Sequence, residues 1–300
     1  MPNTLIVHAD GWAIVKRPLG RGVHGTVYAV RRFETNECGA LKTFDTQRDA
    51  NRELDICEQI MAEKQHPFLV GMKDLIRGAI SNDLSPWASI FMDFYPGGDM
   101  LDHVTHHGSL TEHDALDFMS KLACGTAFLH AILLCHLDIK LENVFLDNHG
   151  APRLGDFGMS RRIIETIAGG GKIGTPIYMA PEVITSTRFF GTPVDVYALG
   201  VCAYAMTTGL MPCEEGMAES LNAKVHKTLL YRAIQRNFHS PSYLIILDAC
   251  LQLEPTLRPT AQMLQEMCTD LRCTMESCHD VTTANIHVVE QDQKPSVHTM

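Results

Sequence analysis

The 300-residue chain predicts an α+β fold with two lobes, a small β-rich one first and a larger helical one after it. Three observations predict it. Roughly the first ninety positions hold short runs of β-branched and aromatic residues, separated by turn residues. Beyond Pro96-Gly-Gly98 the apolar residues recur at helical spacing instead. The longest apolar stretches, 123–135 and 196–211, are shorter than a bilayer span and carry His130 or follow Asp195, so they read as buried helices.

The elements follow in order. Residues 1–11 read as an N-terminal extension without a clear period. Strands are expected at 12–19, 25–32 and 38–44; the first two are joined by a glycine-rich turn, the next two by Glu34-Thr-Asn-Glu37. Leu54, Ile56, Cys57, Ile60 and Met61 give helical periodicity to 47–63. Two more strands are expected at 68–76 and 87–94, and the lobes divide within 93–98. Thr111, followed by Glu112 and Asp114, is a capping signal for a long helix over 111–134. Further helices are expected at 194–209 and 259–271. The remainder, 271–300, is polar with scattered Val and Ile, and reads as a flexible tail. The folded unit is thus expected over 12–270, with the N-lobe at about 12–95 and the C-lobe at about 96–270.

Composition narrows the function classes. Apolar residues make up 45% and charged residues 20%, which is globular and not disordered. A net charge of −10 argues against non-specific nucleic-acid binding through phosphate neutralisation. The ten cysteines are scattered and contain no CxxC pair, the pattern of free thiols in a reducing compartment. No signal peptide, myristoylation site or prenylation box is legible, so no membrane attachment is expected. These features point to an intracellular protein, cytoplasmic or nuclear.

Four stretches carry chemistry. Leu19-Gly-Arg-Gly-Val-His-Gly-Thr-Val27 has the pattern GxGxxGxV, whose glycines allow backbone to approach phosphates closely. A strand and not a helix follows it, which favours a hairpin flap over a dinucleotide-binding turn. Lys42 lies in an apolar strand, either at a sheet edge or aimed at an anion. Glu53 would hold it, because Ile56 and Cys57 share that helix face; Glu58 is the alternative. In His136-Leu-Asp-Ile-Lys-Leu-Glu-Asn143, Asp138 can accept a proton from a hydroxyl and Lys140 can balance phosphoryl charge. Asn143 is a hard oxygen ligand suited to Mg²⁺, and Asp156-Phe-Gly158 supplies a second.

With Gly174-Thr-Pro176 and Ala180-Pro-Glu182 in view, the sequence resembles a eukaryotic-type protein kinase catalytic domain over roughly 12–270. The resemblance implies a bilobal protein-kinase-like fold and the following roles. The loop residues Leu19, Gly20, Arg21, Gly22, Val23, His24, Gly25, Thr26 and Val27 would cover ATP. Lys42, paired with Glu53, would hold its α- and β-phosphates. Asp138 would be the catalytic base, Lys140 its partner across Thr175, and Asn143 and Asp156 the Mg²⁺ ligands. Met92, Asp93 and Tyr95 would be gatekeeper and hinge, Asp99 would face ribose or substrate, and Val27, Ala40 and Phe145 would enclose the adenine. Asp195 would hold the catalytic-loop backbone, and Arg258 would pair with Glu182.

Lys140 and the stretch 174–182 resemble the serine/threonine class, so the implied reaction is ATP-dependent phosphorylation of protein Ser or Thr. Asp99 and Glu142 near the peptide groove suggest basic substrate flanks. The catalytic domain is expected to be monomeric. A non-catalytic scaffold that binds nucleotide is the competing class, but Lys42, Asp138, Asn143 and Asp156 are all present. Two departures stand out. Leu137 replaces the arginine usual between His136 and Asp138, so no cation is available there for an activation-segment phosphate. Residues 61–64 look inserted, which keeps Glu58 in contention with Glu53. Ser160 and Thr166 read as solvated loop hydroxyls, and His136 as a packing residue. His103, His106 and His107 read as surface histidines, a metal site being the rarer alternative.

Overall fold

The computed structural model describes residues 5–7, 12–22, 25–32, 34–78, 87–163, 167–168, 173–186, 188–189, 191–211 and 240–291. The N-lobe is a six-stranded antiparallel sheet and one helix. Its strands are β1 (Leu5–Val7), β2 (Trp12–Gly22), β3 (Gly25–Arg32), β4 (Cys38–Phe44), β5 (Met72–Arg77) and β6 (Ala88–Asp93), ordered β1-β2-β3-β4-β6-β5. Helix α1 (Gln47–Ala62) starts where the Thr46 hydroxyl accepts from the Asp49 amide, and buries Ala50, Glu53, Leu54, Ile56, Cys57 and Ile60. That buried stripe belongs to one apolar core running from Phe44 and Ile90 into the C-lobe. Ile14, Val30, Leu41 and Phe91 form a separate cluster.

The C-lobe contains α2 (Met100–His107), α3 (Glu112–Ala131), β7 (Leu134–Cys135), β8 (Val144–Leu146), β9 (Pro152–Leu154), β10 (Arg161–Arg162), β11 (Ile167–Ala168), α4 (Pro181–Thr185), β12 (Arg188–Phe189), α5 (Gly191–Thr208), α6 (Pro241–Cys250) and α7 (Ala261–Gln291). Thr111 caps α3 as its sequence predicts, accepting from the Asp114 amide. Helix α5 is buried on all sides from Val194 to Met206, so apolar residues surround it without a polar face. Gly200 lets α6 approach it: a Cβ there would lie 2.6 Å from the Cys250 Cβ. On α6 the Tyr243 hydroxyl donates to the Ala203 carbonyl at 3.1 Å. At its start, the Glu112 carboxylate accepts from both the amide and the hydroxyl of Ser240.

Three differences from the sequence reading have physical causes. Within the expected extension, Leu5–Val7 pairs with Ala13–Val15 and adds an edge strand, a long-range contact that no local period announces. The strand expected from residue 68 begins at Met72, because Leu69 and Val70 instead lie against Leu154; the Val70 amide donates to its carbonyl at 2.9 Å. The tail expected from 271 is helical through Gln291. Its first turns continue the packed stripe Leu264, Cys268, Leu271, Met275 along α3, helped by Ser120–Thr269 at 2.9 Å, His113–Glu276 at 2.9 Å and the Arg272–Asp117 ion pair. The polar residues that hid this helix are the solvent face of an amphipathic one. Residues 292–300 lie outside the described residues.

Candidate active site

β4 lies between β3 and β6, so Lys42 is not on a sheet edge. Its ammonium is buried and sits 2.7 Å from both oxygens of Glu53 and 2.7 Å from Asp156 Oδ1. Glu58 is elsewhere, paired with Arg77 at 2.7 Å. The residues that looked inserted extend α1 at its end and leave Glu53 facing inward. Burial works to lower the Lys42 pKa, but the Asp156 and Glu53 carboxylates overcome it and hold the ammonium charged. One cation then serves two anions. Burial opposes charge on both carboxyls; Lys42 nonetheless holds Asp156 well below its ordinary value, while Glu53 is pushed up to about 7.

The catalytic-loop segment is held from below. Asp195 Oδ2 accepts from the His136 amide at 2.8 Å and from His130 Nε2 at 2.9 Å, and Oδ1 accepts from the Leu137 amide at 2.7 Å. These bonds satisfy a fully buried carboxylate. They also fix Leu137 in the left-handed region, at φ 66°. His130, Cys135 and Asp195 bring ligand atoms within 4.8 Å of one another, but these hydrogen bonds already occupy Asp195.

Above this floor the reactive groups converge. Asp138 Oδ1 accepts from the Thr175 hydroxyl at 2.9 Å, and Lys140 Nζ lies 2.8 Å from the same hydroxyl and 3.0 Å from Asp138 Oδ2. Thr175 therefore bridges Asp138 and Lys140. Asn143 Nδ2 donates to the Asp138 carbonyl at 2.8 Å and to its carboxylate at 3.1 Å, leaving Oδ1 as the amide atom with metal-ligand character. Oxygen donors on Asn143 and Asp156 fit a hard cation such as Mg²⁺. Asp156 itself has φ 63°, a backbone twist that directs its carboxylate to Lys42. His136 is fully buried between the Gly155 carbonyl at 3.0 Å and the Phe157 ring at 5.4 Å, a packing position. Ser160 is not solvated as expected: it is buried and its hydroxyl donates to the His136 carbonyl. Thr166 lies outside the described residues.

The glycine stretch is a β2–β3 hairpin in which Gly22 faces Gly25 and Gly20 faces Val27. No helix follows, which removes the dinucleotide-turn alternative. Gly25 is required: a Cβ there would meet the Thr43 carbonyl oxygen at 1.8 Å, and its φ of 153° disfavours side chains. Leu19 and Arg21 are exposed, Arg21 lying 3.9 Å from Asp45, and Thr26 is buried beside Thr43. Val23 and His24, at the tip, lie outside the described residues.

At the lobe junction Met92 and Asp93 pair with Ala40 and Gly39. Tyr95 and Asp93 direct their side chains to the opposite wall: the Tyr95 hydroxyl accepts from the Gly71 amide at 2.9 Å, and Asp93 lies 3.3 Å from Lys73 Nζ. What these two offer a cleft ligand is therefore backbone. Tyr95 also stacks on Phe145 at 6.2 Å, and Phe145 bridges to Asp99. Asp99 caps α2, accepting from the Asp102 amide at 2.8 Å, and burial raises its carboxyl above the ordinary value. Arg258 forms a bidentate pair with Glu182 at 2.6 and 2.8 Å and lies over the Tyr197 ring.

No side chain here has the environment of a covalent nucleophile. Ammonium groups, carboxylates and an amide oxygen converge to position and neutralise charge, the demand that phosphoryl transfer makes on a protein. Residues 13–268 match the profile of the protein kinase domain, and the chain belongs to that family. It is similar to serine/threonine-protein kinase SRK2J of Arabidopsis thaliana, 31% identical over 242 residues, which is 79% of this chain and 68% of the relative. Serine/threonine-protein kinase SAPK4 of Oryza sativa subsp. japonica is 32% identical over 242 residues, 79% of this chain and 64% of the relative. The matches thus span about two thirds of the length of these relatives.

Proposed function

We propose that this chain transfers the γ-phosphoryl group of ATP, with Mg²⁺, to serine and threonine hydroxyls of proteins. The observation that carries this reading is the Asp138–Thr175–Lys140 constellation, which sets a proton acceptor beside a cation. Asp138 orients the substrate hydroxyl and accepts its proton as the oxygen bonds to phosphorus and the bond to the ADP leaving group breaks. Lys140 balances charge on the transferring group. Lys42, fixed by Glu53, binds the α- and β-phosphates under the hairpin, and Asn143 and Asp156 hold Mg²⁺, which supplies charge neutralisation when bound. Val27, Ala40, Met92 and Phe145 enclose the adenine, with the backbone of Asp93 and Tyr95 at its edge.

The Tyr178 hydroxyl donates to Glu142 at 3.1 Å, which leaves Glu142 a carboxylate beside the catalytic loop. Together with Asp99 it favours substrates with basic flanks. The catalytic domain acts as a monomer. An intracellular, reducing setting is supported by eight free cysteines, five of them buried. Among the described residues, no helix is long and apolar enough to cross a membrane. The test is transfer from radiolabelled Mg·ATP to a generic basic protein, followed by phosphoamino-acid analysis. Phosphoserine or phosphothreonine is expected. Phosphotyrosine alone, or no transfer from folded protein that binds ATP, would overturn the reading.

Leu137 leads to a second expected result. It is buried, in the apolar core, where a phosphate on the activation segment would find no cation from this position. Phosphatase treatment is therefore expected to leave transfer activity unchanged. A large loss, reversed by rephosphorylation, would show that another cation does this work.

A further inference from the structure

We propose that His103 and His107 form a binding site for a divalent transition-metal ion of the Zn²⁺, Ni²⁺ or Cu²⁺ type on the exposed side of α2. The two residues are one helical turn apart, the spacing that puts two imidazoles on one face. Their rings stack with centroids 4.5 Å apart and planes 28° apart. The His107 Nδ1 lies 3.0 Å from the His103 carbonyl oxygen, so Nδ1 carries the proton and donates. That bond leaves the Nε2 lone pair free. A ring N–H donated to a backbone carbonyl is also the support that metal-bound histidines use to fix tautomer and orientation.

The competing role for histidines here is as cations at the helix C-terminus. Burial, with His107 adding to it, holds His103 below its ordinary pKa, so this ring is neutral near pH 7 and can ligate. His106 does not join the pair. Its Nδ1 donates to the Asp102 carbonyl at 2.7 Å, and it forms no ring contact with the other two among the described residues. The site differs in chemistry from Asn143 and Asp156: imidazole nitrogens select Zn²⁺, Ni²⁺ and Cu²⁺, whereas Mg²⁺ takes oxygen ligands. Water would complete the coordination on the exposed side. The spacing is visible in the sequence; the ring pairing and the set tautomer are what the structure adds.

The test titrates Ni²⁺ calorimetrically into the full chain and into His103→Ala, His107→Ala and His106→Ala variants, with thermal midpoints measured beside each. His103→Ala and His107→Ala are each expected to weaken one site by about tenfold or more, because one imidazole replaces a chelating pair. His106→Ala is expected to leave that site unchanged. Wild-type affinity in His103→Ala or His107→Ala, or an equal loss in His106→Ala, would overturn the proposal. Because His107→Ala also removes a helix hydrogen bond, His107→Gln serves as a second variant at that position and is expected to lose the site while keeping the thermal midpoint. Retention of wild-type affinity by it would equally overturn the proposal.

Discussion

Asp138→Asn is expected to reduce kcat by about 10²–10⁴-fold while the protein keeps its thermal midpoint. Asparagine preserves the shape of the side chain, and its oxygen can still accept from Thr175, which now lies 2.9 Å from Oδ1. What it removes is the capacity to take a proton and the negative charge facing Lys140 at 3.0 Å. Nucleotide affinity should change little, because Lys42, Glu53 and Asp156 keep their contacts on the other wall. Initial rates at saturating Mg·ATP, together with nucleotide binding, check this. A variant within about tenfold of wild-type kcat would place proton removal outside general-base catalysis by this residue.

Arg258→Met is expected to lower stability by about 3–5 kcal/mol, because it leaves a buried carboxylate without its cation. The guanidinium side chain is fully enclosed, donates to Glu182 at 2.6 and 2.8 Å, and donates again to the Pro193 and Gln252 carbonyls at 2.9 Å. Methionine fills the volume and satisfies none of these acceptors. Denaturant unfolding measures the loss. The double variant Arg258→Met, Glu182→Gln should recover part of it, since a neutral amide tolerates the site better than an unpaired charge. A single-variant loss below about 1 kcal/mol would mean that the pair is only marginally stabilising, as an exposed ion pair is.

These two residues illustrate how unevenly the sequence discloses a site. Asp138 stands in a contiguous stretch with Lys140 and Asn143, and each carries its chemistry in its residue type. Arg258 and Glu182 are 76 positions apart, and only the resemblance to a family joined them before the structure did. Lys42 was legible as a charge in an apolar strand, yet whether it sat at an edge, and whether Glu53 or Glu58 met it, depended on sheet order and on the rotation of α1. Glu53 faces the sheet because Leu54, Ile56, Cys57 and Ile60 bury that side; Glu58, on the outer side, found Arg77 instead.

Local chemistry, then, was written in the chain: the glycine hairpin, the Thr111 cap, the catalytic-loop groups and the division into a β-rich and a helical lobe. Each rests on spacing within a few residues, where backbone geometry alone relates one side chain to the next. Tertiary packing decided the rest. It extended α7 past residue 271 by offering α3 as a partner face, and buried Ser160 under His136. It paired Leu5–Val7 with β2, and turned Tyr95 and Asp93 away from the cleft toward Gly71 and Lys73. A residue's partner across the fold is selected by which surfaces meet once the apolar stripes are buried, and no local period in the sequence encodes that meeting.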